Sequence, residues 1–183
     1  MPDARNYRQV LDCYNSLPAP IKKYFREFAG LVTRYSWEVS YAYIFSRIEL
    51  AKNMTIYCSI VKLHKTNAEL TRKIVNEWRL ERRQFYYLFK NITKKHIPKS
   101  IREKLEAGEK VRDKIVHGKQ WKDSEVRTGL IQTFNFANEF NDFVFKVAGF
   151  KPFGNLRGFK GRAGTLSMAT TRWILKGMGF DVS

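Results

Sequence analysis

Between Leu31 and Ile97 the chain contains neither glycine nor proline. Those residues punctuate backbone structure, and a β-protein needs turn signals about every 8 to 12 positions. So long a stretch without a breaker points to long helices, and the expected fold class is all-α, an antiparallel helical bundle. The stretch still divides. Thr66-Asn67-Ala68-Glu69 has the form of a capping box, in which a hydroxyl and a carboxylate satisfy orphan amides reciprocally. The spacing predicts one helix over 36–64 and another over 67–94. Trp37, Tyr41, Ile44, Ile48, Ala51, Cys58 and Val61 recur at helical spacing on the first, and Ile74, Trp78, Phe85, Leu88 and Phe89 on the second. Both stripes are expected to be core.

Shorter helices are expected at 3–16 and 20–35, separated by Leu17-Pro18-Ala19-Pro20, with Pro20 opening the second. Pro98-Lys99-Ser100 starts a helix running to about His117 and stopped by Gly118, a natural C′ glycine. After a polar turn, a helix at 125–148 carries Leu130, Phe134, Ala137, Phe140, Val144 and Val147 on one face. Composition then shifts: five of the 11 glycines fall in Gly149–Thr165, and a last helix is expected over 165–177. The chain thus divides into N-terminal helices (1–35), a helical domain (36–148), and a Gly-rich basic segment with a C-terminal helix (149–183). With 183 residues it should bury roughly 70% of its unfolded surface, enough for a core without disulfides or metal.

Charge narrows the partners. Lys and Arg total 34 against 17 acidic residues, a net +17 with a sequence pI of about 10.0. Self-repulsion on that scale destabilises a compact chain unless a polyanion offsets it. No signal peptide, 18-residue apolar run or lipidation sequence is apparent, so nucleic acid is favoured over a membrane surface. Cys13 and Cys58 lack metal-ligand spacing and are expected to be buried reduced thiols of a cytoplasmic protein. His64, His96 and His117 have no HExxH or CxxC companion, and neither GxxxxGK[ST] nor GxGxxG occurs. No metal, cofactor or nucleotide chemistry is therefore expected.

The segment Arg112-Asp113-Lys114-Ile115-Val116-His117-Gly118 holds the candidate site. On a helix at roughly 100° per residue, Arg112 falls within the apolar stripe Ile101, Leu105, Val111 and Ile115. A guanidinium there needs a partner or an aqueous cleft. Asp113 and His117 stand at i, i+4, where a carboxylate can fix the imidazole tautomer and raise its basicity. Arg112 and His117 diverge by roughly 140° around an ideal helix. Side-chain length, loosening of the last turn or a second copy of the helix could close that gap. A capping His beside a surface ion pair would use the same residues.

Arg-x4-His with a polar residue after the Arg and a Gly after the His resembles the signature of HEPN domains. The short polar turn and the aromatic-rich helix Glu125–Ala148 fit as well, so the resemblance covers about residues 36–148. It implies antiparallel helices that dimerise, with Arg and His of both subunits lining one cleft. Many members are metal-independent endoribonucleases of toxin–antitoxin, phage-defence or CRISPR-associated systems, and some are non-catalytic. Carried over, Arg112 would bind the scissile phosphate, His117 would act as general acid or base while the 2′-hydroxyl attacks, and Asp113 would orient His117. The product would be a 2′,3′-cyclic phosphate.

Further RNA contacts are expected from Lys90, Lys94, Lys95, His96, Lys99, Arg102 and Lys104 around the bend before the catalytic helix, with Arg79, Arg82 and Arg83 on the helix preceding it. Arg157, Lys160 and Arg162, set among Phe150, Phe153 and Phe159, resemble flexible basic–aromatic tracts that bind single strands, although a plain linker has the same composition. Three functions follow: a homodimeric endoribonuclease; a non-catalytic basic module that binds nucleic acid or assembles a ribonucleoprotein; or a partner of an acidic antitoxin or inhibitor.

Overall fold

The computed structural model of the chain describes residues 4–78, 81–154, 156, 159 and 165–182. Among these the regular structure is entirely helical, in line with the breaker-free stretch from Leu31 to Ile97. The helices are α1 (Ala4–Ser16), α2 (Ala19–Tyr24), α3 (Phe28–Arg34), α4 (Trp37–His64), α5 (Ala68–Glu77), α6 (Arg82–Thr93), α7 (Lys99–Val116), α8 (Asp123–Ala148) and α9 (Met168–Met178). Among the described residues no helix is long and apolar enough to cross a membrane.

Two elements depart from the pattern read off the sequence. The helix expected over 67–94 is two helices. Trp78 ends α5 in an extended conformation (φ −81°, ψ 116°), and α6 begins where the Gln84 side chain accepts from the Glu81 amide at 3.2 Å. At the start of α5, the cap is Asn67, whose side chain accepts from the Leu70 amide at 2.9 Å. Thr66 is buried instead and its hydroxyl accepts from that of Thr71. The stretch 20–35 likewise splits into α2 and α3, because Phe25 leaves helical geometry (φ −104°, ψ 31°).

The residues fall into two compact units, each discontinuous in sequence. The first comprises the described residues among 1–49, 98–142 and 153–155. It is built around an aromatic cluster in which Phe134 of α8 meets Tyr14, Phe25 and Phe28, with ring centroids 4.9–5.7 Å apart. The N-terminal helices therefore share a core with α8 and do not form the separate segment 1–35. Asn141 ties this cluster to the segment after α8. Its amide donates to the Phe153 carbonyl at 2.8 Å and its oxygen accepts from the Phe153 amide at 2.7 Å, so both groups are satisfied within the core.

Helices α7 and α8 approach closely because each carries a glycine at the contact. A Cβ at Gly108 would collide with the Thr133 hydroxyl, and one at Gly129 with the Tyr41 hydroxyl. Tyr41 uses the space to donate to the Val126 carbonyl at 3.1 Å. Glycine in a helix interior costs about 1 kcal/mol relative to alanine. Here that cost is offset by packing that no larger residue allows.

The second unit comprises the described residues among 50–97, 143–152 and 156–183. Its core includes Ile56, Ile60, Ile74, Phe85, Phe89, Val144, Phe150 and Leu175. Lys52 is also buried there, its ammonium 5.4 Å from the centre of the Phe85 ring. The chain from Lys65 to Asn67 is joined to α9 and the residues before it by two bonds. The Leu166 amide donates to the Lys65 carbonyl, and the Asn67 amide to the Thr171 hydroxyl, both at 2.9 Å.

Candidate active site

Helix α7 starts after Pro98 and buries Ile101, Leu105 and Val111 in the first unit. At its other end His117 occupies the C-cap (φ −95°, ψ 14°) and Gly118 follows in the left-handed region at φ +62°. The Gly118 amide donates to the Ile115 carbonyl at 3.2 Å and the Lys119 amide to the Lys114 carbonyl at 2.9 Å. Those two bonds make a complete Schellman motif, which satisfies carbonyls that a helix end otherwise leaves orphaned. His117 is thereby fixed in backbone position with its side chain exposed.

A second staple holds the turn that follows. Lys114 donates to both carboxylate oxygens of Glu125 at 2.9 Å, and the Lys122 amide donates to the same carboxylate at 3.2 Å. These hydrogen bonds, that from Lys114 foremost, hold the Glu125 carboxyl below its usual titration range. Neither Lys114 nor Glu125 stood out in the sequence. The signal was present as a cation in the last turn of one helix and an acid in the first turn of the next, where the helix dipoles favour each.

The three residues expected to form the catalytic group are partly brought together. Arg112 and Asp113 contact each other at 3.5 Å, with each side chain 40% exposed. Arg112 is thus not in the apolar interior. At that exposure its guanidinium reaches water. Adjacent residues on a helix do not face one another, which is why this contact is long. Asp113 and His117 are joined through the backbone, the His117 amide donating to the Asp113 carbonyl at 3.1 Å. Among the described residues the His117 ring has no hydrogen-bond partner, and Asp113 and His117 do not meet through their side chains. Val116 is 63% exposed beside it, an apolar residue at the rim of the site.

Between α7 and α8 lies a groove of about 450 Å³ lined by Lys110, Lys114, Glu125 and Thr128, among others. It adjoins the catalytic candidates in sequence but includes none of them.

The basic residues expected to bind RNA are mostly available. Lys90, Lys94, Lys95, His96 and Lys99 are exposed, while Arg102 is half-buried. Lys94 is the left-handed C-cap of α6 (φ 59°). Lys99 pairs loosely with Glu103 at 3.6 Å, and Lys104 is held by Glu139 at 2.9 Å. Lys90, Lys94 and Lys95 belong to the second unit, Lys99 and Arg102 to the first. Arg83 is exposed. Arg79, Arg157, Lys160 and Arg162 lie outside the described residues.

Cys58 is buried, as expected, and burial pushes its thiol up to about 12. Cys13 is only half-buried, and burial again raises its thiol. Among the described residues no three His, Cys, Asp or Glu side chains cluster as metal ligands. No family model, curated protein or solved structure matches the chain.

Proposed function

We propose that the chain is a HEPN-type endoribonuclease that cleaves RNA without a metal ion, working as a homodimer. The placement of His117 carries this reading: an exposed imidazole on a rigid C-cap, five residues after a half-exposed Arg112, in an all-helical protein of strongly basic charge. The chemistry needs only groups of that kind. The 2′-hydroxyl oxygen attacks the adjacent phosphorus as its proton is withdrawn, and the 5′-oxygen leaves as it receives one. The products are a 2′,3′-cyclic phosphate and a 5′-hydroxyl end. His117 moves a proton, and Arg112 binds the phosphate and steadies its developing charge. Each effect contributes about 10²–10⁴ in rate.

A homodimer supplies two imidazoles, so that one can act as base while the other acts as acid. Val116, exposed and apolar beside His117, suits such a contact. Asp113, paired with Arg112, aligns the guanidinium in this scheme. A toxic ribonuclease of a toxin–antitoxin or phage-defence system also needs restraint, and an acidic antitoxin or inhibitor would complement the +17 charge.

The test is the chemistry of the products. Purified protein should cut a defined RNA in the presence of EDTA, leaving 2′,3′-cyclic phosphate and 5′-hydroxyl ends. A strand 2′-O-methylated at the scissile positions should survive. Cleavage of the methylated strand, or none without added divalent cation, contradicts the proposal.

The exposed Lys90, Lys94, Lys95 and Lys99 favour a second reading, a non-catalytic basic module that binds nucleic acid or assembles a ribonucleoprotein. It predicts salt-dependent RNA binding with no product at all.

A further inference from the structure

Helix α9 presents two faces of opposite character. Thr171, Leu175 and Met178 are buried, and the Asn91 side chain donates to the Met178 carbonyl at 3.2 Å. The other face carries Ala169, Arg172, Trp173, Lys176 and Gly177, at successive spacings of three, one, three and one, and they line a groove of about 590 Å³. An amphipathic helix is expected to put polar groups there. Trp173 is instead 80% exposed, more than any other large apolar side chain among the described residues.

Its neighbours keep it open. Residues four apart on a helix lie side by side. The positions four before and four after Trp173 are Ala169 and Gly177, the two smallest side chains available. At Gly177 even an added Cβ would meet nothing within 4 Å. Among the described residues the indole therefore has both flanks uncovered, with Arg172 and Lys176 beside it. No acid occurs in α9, nor anywhere between Asp142 and Asp181.

Those features select an occupant. A lipid-facing helix needs a broad apolar face, and this one offers a single large ring among small and cationic residues. A second copy of the same face would set its cations against Arg172 and Lys176. A polyanion that also presents flat apolar surfaces fits both groups, and an unpaired nucleic-acid strand is such a molecule. A duplex hides its base faces by stacking.

We propose that the face of α9 centred on Trp173 binds single-stranded RNA, the indole stacking on an unpaired base while Arg172 and Lys176 neutralise the flanking phosphates. The site rests on the RNA-binding part of the function proposed above and does not depend on the chemistry at His117.

The test uses the full chain and a short 2′-O-methylated RNA, which the proposed cleavage cannot consume, followed by fluorescence anisotropy. The same sequence as a blunt duplex and anionic phospholipid vesicles are the comparisons. Trp173→Ala should weaken single-strand binding by roughly 5- to 150-fold, the loss of one base–aromatic stack. Duplex binding should stay within about twofold, and Trp173→Phe should recover most of the difference. The side chain is exposed, so neither variant disturbs the core. Unchanged single-strand affinity in Trp173→Ala overturns the site, as does an equal loss on duplex or a Trp173-dependent binding to vesicles with none to RNA. If the wild type binds no RNA in any form, the RNA-binding premise fails with it. If the wild type binds and the variant matches it, only the α9 site falls.

Discussion

The backbone amide of Lys119 donates to the carbonyl of Lys114 at 2.9 Å, and this bond closes the end of α7 around His117. It forms because Gly118 takes the left-handed conformation at φ +62°, which turns the chain back over the last helical turn. The position of His117 thus depends on a residue with no side chain to offer a substrate.

Replacing Gly118 tests that dependence. Gly118→Ala should cost about 1 kcal/mol, because a Cβ clashes in the left-handed region. The melting temperature should fall by about 2–4 °C. Cleavage should fall further than stability, by up to about a hundredfold, since small misplacements of a reacting group are costly. Gly118→Asn tolerates that conformation and should keep most of both. Thermal scans beside cleavage assays at a fixed temperature separate the two effects.

Gly108 offers a test of the packing. Alanine favours helix by about 1 kcal/mol over glycine, so an open site would be stabilised by Gly108→Ala. Here the added methyl meets the Thr133 hydroxyl, the Gly129 carbonyl and the Phe45 ring. The variant should be destabilised by about 1–3 kcal/mol, seen as a lower urea midpoint with unchanged slope. A higher midpoint would show that α7 and α8 are not packed as described.

The helical class and the core stripes of α4 and α8 were legible in the sequence, because they rest on periodicity and, over 31–97, on the absence of Gly and Pro. Gly118 was legible for the same reason, as a breaker placed after a periodic run. The division at Trp78–Glu81 was not, since neither residue is a turn former. Gly108 and Gly129 were not legible as packing residues either. Only the approach of a partner helix distinguishes a glycine that permits close packing from one that merely weakens a helix. At the candidate site, sequence spacing placed Asp113 beside His117 on an ideal helix. The chain leaves helical geometry at His117, and the carboxylate meets Arg112 instead.

Cys58 and Tyr24 contribute to the alkaline limit, as does the buried phenol of Tyr41, which burial also raises. Burial raises the first two to about 12, from 9.0 for the thiol and 10.0 for the Tyr24 phenol. A group whose folded value is raised contributes stability that is fully present below its unfolded value and is lost as pH rises toward the folded one. Stability should therefore hold up to about pH 9 and then decline steadily. Denaturant titrations across pH 8–12 would show it. In the native protein Cys58 should resist a thiol reagent that modifies it readily once unfolded, and equal rates in both states would contradict its burial.

The exposed lysines should govern salt dependence more than chemistry. Replacing Lys90, Lys94, Lys95 and Lys99 together by Gln should reduce the slope of log affinity against log salt by about 0.7 for each single-strand phosphate that these lysines neutralise. An unchanged slope would mean that RNA binds this chain elsewhere. The melting temperature should change little, because these side chains are exposed.

The most direct measurement compares RNA cleavage by wild type and His117→Ala in EDTA, with the melting temperature of both recorded. The wild type should cut, and the variant should be slower by about 10²–10⁴ while melting normally, since the His117 side chain is exposed. Equal cleavage by the two proteins, or none by a wild type that still binds RNA, would contradict the proposed function.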